Sequence, residues 1–338
     1  MLPKRIAPLC PAFIKGTSMS SKTSDVYQTI TDRIIVAIET RPGRWQRPWS
    51  VRSGGRRPAN IASGLSYRGI NTLALWVEAQ LSGYHSHLWG SYRQWAALGC
   101  QVRKGEKASS VVFFKEVPLT STENDDAQTQ HARLFARSSP VFSADQVEGL
   151  PAAPLPASTA SNLPSVDHFV QRLGADIVHG GDQACYMTRL DVIRMPECEA
   201  FIGTATSTAT ESYYGTLAHE LTHWTAPNHR CGRDLTKRFS RDAYAMEELV
   251  AELGAAFLCA DLGIANEPRA DHAQYLAHWL KVLKSDKRAI FTAASKAAQA
   301  VAFLTYRAAG ADLRPSPGTT PESNRRPFEK PGLMRGAL

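Results

Sequence analysis

The stretch YYGTLAHELTHW (213–224), followed downstream by YAMEELVAELGAAFL (244–258), decides how this chain is read. Within HELTH, His219 and His223 are four residues apart, so on a helix both imidazoles share one face with a carboxylate, Glu220, beside the first. That arrangement suits a single divalent ion. The second stretch offers Glu247, Glu248 and Glu252 on an otherwise apolar, alanine-rich helix, where carboxylates need partners. Glu248 and Glu252 stand at i and i+4, so one can ligate the ion while the other fixes the tautomer of a ligating imidazole. Glu247 is expected to face elsewhere on the helix.

A third protein ligand completes an open site whose fourth position is left to a water that the metal acidifies. Glu220 cannot both ligate and act as general base, so His219, His223 and Glu248 are assigned to the metal, Glu220 to proton transfer and Glu252 to support behind the ligands. Zn2+ is the default ion for two histidines and a carboxylate, and Mn2+, cobalt or nickel fit the same donors. Tyr213, Tyr214, Trp224, His229 and Tyr244 lie near the motif, and packing is the commoner use of such aromatic residues. His179 and His278 are expected to be structural or exposed.

Working outward, apolar periodicity predicts helices over 167–174, 211–224, 241–262, 271–284 and 288–308, with strands in ADIVHG and ACYMTRLDVIRM. These form a mainly helical unit over 167–310. Upstream, SDVYQTITDRIIVAIET, INTLALWVEAQLSGY and SYRQWAALG read as helices. The RKGEK turn leads into a strand through SSVVFFKEV, and VFSADQVEGLP reads as a short strand and turn. A second unit therefore covers 24–151, separated by the Ala/Pro-rich linker 152–166 and flanked by a disordered extension at 1–23 and a disordered tail at 311–338. Met19 is a possible natural start. The expected class is α+β, with two domains.

Charge distinguishes the first unit. Between Arg41 and Lys115 there are twelve arginines and lysines against two glutamates, whereas the whole chain carries a net +8. The same segment holds Trp45, Trp49, Trp76, Trp89 and Trp95, together with Tyr67, Tyr84 and Tyr92. Guanidinium groups that follow phosphates, interleaved with aromatic faces that stack on bases, suit single-stranded DNA. The candidate contacts are Arg44, Trp45, Arg47, Trp49, Tyr67, Arg68, Arg103, Lys104 and Lys107, while Trp76 and Trp95 are more at home in a core. The six cysteines are scattered without a CxxC pair, and no apolar run is long enough to cross a membrane, so a reduced, cytoplasmic protein without membrane contact is expected.

Together RWQRPW (44–49), YRGIN (67–71), WGSYRQWAALGCQVRKGEK (89–107), VFSADQVEGLP (141–151) and the two helical motifs resemble the ArdC-like antirestriction proteins of conjugative plasmids. These are in turn similar to the N-terminal part of plasmid TraC primases. The resemblance implies a single-stranded-DNA-binding domain joined to a zincin-like metallopeptidase domain, protecting incoming plasmid DNA from restriction. It also implies the gluzincin arrangement of a ligating glutamate, here Glu248, with an acid four residues on, here Glu252. A restriction-modification subunit is one expected protein partner. A non-enzymatic DNA-binding protein with a structural metal site is the alternative. A nuclease or primase is disfavoured, because the chain does not supply the clustered Asp and Glu residues of a two-metal phosphoryl-transfer site.

Overall fold

The computed structural model describes residues 25–39, 56–118, 132–150, 163–203, 207–233, 241–264 and 273–310. The first helix, α1 (Val26–Glu39), starts where the Asp25 carboxylate accepts hydrogen bonds from the backbone N–H groups of Tyr27 and Gln28, 3.1 and 3.3 Å away. It buries Ile30, Ile34, Ile35 and Ile38, the face its spacing predicts. After β1 (Ala59–Asn60), α2 (Ile70–Ser82) stops at Gly83, whose φ of 74° is a left-handed cap. Then come β2 (Leu88–Gly90) and α3 (Tyr92–Ala97), the latter opened by a reciprocal Ser91–Gln94 capping box.

β3 (Gln101–Val102) pairs antiparallel with β6 (Val147–Glu148), while β4 (Ser109–Pro118) and β5 (Ala132–Ser143) form a long antiparallel ribbon. The larger sheet of this region has the order β1-β2-β5-β4.

Beyond it, α4 begins at Leu163 and runs to Leu173, entering the stretch read as linker. Pro164 sits in its first turn, where a missing N–H breaks no helical bond, so the proline opens this helix instead of delaying it. A three-stranded sheet follows, with β7 (Asp176–His179) parallel to β9 (Val192–Met195) and β8 (Cys185–Met187) antiparallel to it at the edge. Four helices follow: α5 (Ala209–Trp224), α6 (Arg241–Leu262), α7 (Ala273–Ser285) and α8 (Ala289–Ala308).

The mixed architecture is the expected α+β class. Its main core is continuous across the two regions: Ile34, Leu73 and Trp76 of the first pack into the same buried cluster as Leu217, Leu253, Phe257 and Ala297 of the second. Arg57 adds an ion pair with Asp261, 2.8 Å away. Among the described residues, no helix is long and apolar enough to cross a membrane, and all five cysteines described are free.

Candidate metal centre

α5 opens with a Thr208–Glu211 capping box, and from Tyr213 to Trp224 every residue is buried. Such a helix is enclosed on all sides, by α6 and α8 and by the β8–β9 sheet. α6 packs tightly on α5 at Gly254, where an added Cβ would stand 2.5 Å from Cγ2 of Thr222. The absent side chain lets the glutamates of α6 reach the imidazoles of α5.

The donor atoms converge. Nε2 of His219 and Nε2 of His223 are 3.2 Å apart, and the Glu248 carboxylate lies 3.5 Å from each, through Oε2 and Oε1 respectively. Zinc–imidazole bonds of about 2.0–2.1 Å in a tetrahedral site separate neighbouring ligand atoms by about 3.3–3.4 Å. The observed separations bracket that edge, so the donor set fits one divalent ion. Among the described residues no fourth histidine, cysteine or acid joins the trio.

Each imidazole is steered by a carboxylate behind it. Nδ1 of His219 lies 3.0 Å from Oε1 of Glu252, and Nδ1 of His223 lies 3.1 Å from Oε1 of Glu247. A carboxylate only accepts, so each Nδ1 keeps its proton and each Nε2 lone pair is free to face the common point. The expectation for Glu247 is therefore corrected: it does not face away but holds the second histidine. Arg233, itself buried, completes this arm, with its guanidinium 3.0 Å from Oε1 of Glu247 and donating to the Thr222 carbonyl at 2.6 Å. Sequence spacing missed both residues. Glu247 and Glu248 are adjacent on α6, and where α5 crosses decides which imidazole each can reach.

Glu220 is also fixed. One of its carboxylate oxygens accepts the backbone N–H of Tyr186, on β8, at 2.8 Å. The strand is braced in turn: the Tyr186 hydroxyl donates to Asp191 at 2.8 Å, and Arg230 pairs with Asp191 while its guanidinium lies 3.8 Å from the Trp224 ring centroid. Asp191 adopts a φ of 56°, a left-handed turn position that acidic side chains tolerate.

The electrostatics call for positive charge. With both imidazoles neutral, Glu220, Glu247, Glu248 and Glu252 outnumber Arg233 as buried charges. In the ion's absence protons answer this: burial disfavours a charged His219, but Glu248 and Glu252 outweigh it and push its pKa up to about 10. His223 moves up against its own burial through Glu247 and Glu248. Burial opposes ionisation of Glu248 too, yet the two histidines hold it well below the usual carboxylate range. A dication provides the same compensation without protons.

The candidate DNA contacts are less gathered. Arg44, Trp45, Arg47 and Trp49 lie outside the described residues. Lys104 and Lys107 are exposed on the turn between β3 and β4, beside Arg103, which is partly committed to Glu106 at 2.9 Å and to the Asp145 carbonyl. Tyr67 is half-buried, its hydroxyl accepting from Asn60 at 3.1 Å. Trp76 and Trp95 are buried as expected, and Trp89 joins them. Arg68 is exposed but lines a different surface, against α8.

Comparison with known proteins places these features. Residues 24–142 match the N-terminal domain of anti-restriction factor ArdC, and residues 164–296 match a zincin-like metallopeptidase family. The chain is 43% identical over 287 residues to the uncharacterised protein y4eC of Sinorhizobium fredii, covering 82% of this chain and 90% of that one. It is 32% identical to an Escherichia coli DNA primase TraC over 85% of its own length, but spans only 27% of that primase. The metal-free crystal structure of antirestriction protein ArdC from plasmid R388 superposes with a TM-score of 0.71 at 38% identity, covering 86% of this chain and all of that one. The Mn(II)-bound form of that protein gives 0.65 at 39% identity, covering 84% and 98% of the two chains. With both regions matched in order and over most of its length, the chain belongs to the ArdC antirestriction family, with an ArdC N-terminal domain followed by a zincin-like metallopeptidase domain.

Proposed function

We propose that this protein binds single-stranded DNA through its basic first domain and carries a zinc-dependent, gluzincin-like peptidase site in its second, protecting incoming DNA from restriction during conjugation. The observation that carries the enzymatic half is the convergence of both Nε2 atoms and the Glu248 carboxylate on one point, with Glu220 nearby as a second, separately anchored carboxylate. His219, His223 and Glu248 would hold the ion, Glu252 and Glu247 would orient the two imidazoles, and the same donors would also accept Mn2+. When bound, such an ion polarises a carbonyl and lowers the pKa of water.

The protein's own contribution is then proton handling. Glu220 has one oxygen committed to the Tyr186 N–H, which leaves the other to take a proton from water and return it to a leaving amine. A three-residue donor set with a spare base is what catalysis needs, whereas a purely structural site closes with a fourth protein ligand. The DNA half is supported by the surplus of basic residues in the first domain and by the exposed Lys104 and Lys107. A cytoplasmic setting follows from that role, and the protein substrate would be a restriction-modification subunit or another recipient-cell protein.

Conjugation into a restricting recipient tests the reading. Proteins carrying Glu220→Gln or Trp45→Ala/Trp49→Ala are compared with wild type after their folding and metal content have been verified. Loss of protection in both variants supports joint action of the two domains. Full protection by Glu220→Gln would favour a DNA-binding protein whose metal site is structural.

A further inference from the structure

A groove of about 820 Å³ runs between the two domains, away from the metal centre. One wall is the α8 face that carries Arg288 and Lys296, and the other is formed by Arg68 and by Phe114 of β4, with Tyr27 and Phe291 between them. Gly69, whose φ of 54° is a left-handed position, lies where the walls meet, in ordinary contact range of the Ala294 carbonyl of α8.

The groove's chemistry is one-sided. Among the described residues, three cations line it and no carboxylate does. Among the described residues, Arg68, Arg288 and Lys296 form no ion pair, whereas Lys284 and Lys287, on the α7–α8 stretch, pair with Glu39 and Asp25. Phe114, 43% exposed, presents an open ring, and Arg288 lies 5.2 Å from the Tyr27 ring centroid. An exposed aromatic beside unpaired guanidinium groups is a combination that bases and phosphates satisfy together.

Spacing selects the ligand's shape. Arg288, the residue that opens α8, and Lys296 within it are eight residues apart, hence about 12 Å along the helix axis. One phosphate cannot serve both, so the partner is an extended polyanion. The volume lies within the range of about 300–1,000 Å³ typical of ligand sites.

We infer that this groove is part of the path of single-stranded DNA, so that α8 of the zincin-like domain holds the strand together with the first domain. The inference rests on the single-strand binding proposed above. It places nucleic-acid contacts in a region that the sequence reading assigned wholly to the peptidase unit.

The test uses the full chain and an oligothymidylate of roughly 20 nucleotides, with anisotropy followed across a salt series. Arg288→Gln/Lys296→Gln should bind about tenfold or more weakly, with a salt slope smaller by roughly one to two units. Phe114→Ala should weaken binding with the slope unchanged. Lys281→Ala/Lys284→Ala, with the same charge loss on α7, should bind as wild type does. Ultraviolet cross-linking of the wild-type complex, which needs no variant, should label the peptides containing Phe114 or residues 288–299.

Wild-type affinity and slope in Arg288→Gln/Lys296→Gln, with cross-links confined to other peptides, would overturn the groove and leave the single-strand reading intact. If the wild-type protein bound no oligonucleotide, both would fall. Polyglutamate binding that requires Arg288 and Lys296, alongside oligonucleotide binding that does not, would reassign the groove to an acidic peptide.

Discussion

At the scale of single residues, the geometry of the candidate centre depends as much on the groups behind the imidazoles as on the three converging donors. Glu247 holds His223 from behind and is held by Arg233, so Glu247→Gln should weaken divalent-metal affinity by about 10- to 100-fold, measured by chelator competition, while leaving the three donors in place. Protons compete with the ion for the same imidazoles. His219 is raised from 6.5 to about 10 and His223 is also raised, so in the metal-free protein their protonated pairs contribute stability that is full below 6.5 and is lost as pH rises through about 10. Metal binding must displace those protons, and apparent affinity should climb steadily from pH 6.5 towards 10. A flat profile in chelator competition over that range would contradict the arrangement.

Much of this was legible beforehand. His219, Glu220 and His223 are set by helical spacing within one short motif, and Glu248 with Glu252 by spacing within another. Glu247 was not, because periodicity tells which residues share a face of α6 but not which imidazole of α5 that face meets. Arg233 lies in a loop beyond α5, where no period operates.

At the scale of elements, the crossing of α5 and α6 is what turns two helices into a site. Gly254→Ala would thrust a methyl group into Cγ2 and Oγ1 of Thr222, 2.5 and 2.6 Å away, and Thr222 is tied by its hydroxyl to the Ala218 carbonyl at 2.8 Å. The expected cost is about 1–3 kcal/mol in urea unfolding, together with weakened metal binding as the glutamates draw back. Thr222→Ala in the same chain should recover part of the loss, since the two positions are in contact. Full additivity would show that the crossing is not the cause. The helices themselves were readable from apolar spacing, whereas ACYMTRLDVIRM, read as one strand, turns at TRLD and gives the two short strands β8 and β9. The α4 start was not, because Pro164 reads as a break in a Pro-rich stretch and acts as an opening turn.

At the scale of the whole molecule, the two domains are distinct in sequence but joined in space. Trp76 packs against Phe257 with ring centroids 5.7 Å apart, and its indole N–H donates to the Arg56 carbonyl. Trp76→Ala should cost about 3–5 kcal/mol and lower the thermal midpoint of the entire chain, with no separate transition for either half. Two resolved transitions in calorimetry would refute that coupling. Composition showed where the charge excess lies, but not that Trp89 is fully buried or that Arg57 pairs with Asp261, because a tryptophan or arginine in a basic stretch can serve a core or a surface equally well.

The central claim is that His219, His223 and Glu248 form one divalent-metal site with Glu220 outside the ligand set. Metal content per chain after equilibration with Zn2+ and dialysis, compared across wild type, Glu220→Gln, His219→Ala and Glu248→Ala, tests it most directly. One equivalent is expected in wild type and in Glu220→Gln, and loss of the metal in the other two. A full equivalent retained by His219→Ala, or none bound by the wild-type protein, would contradict it.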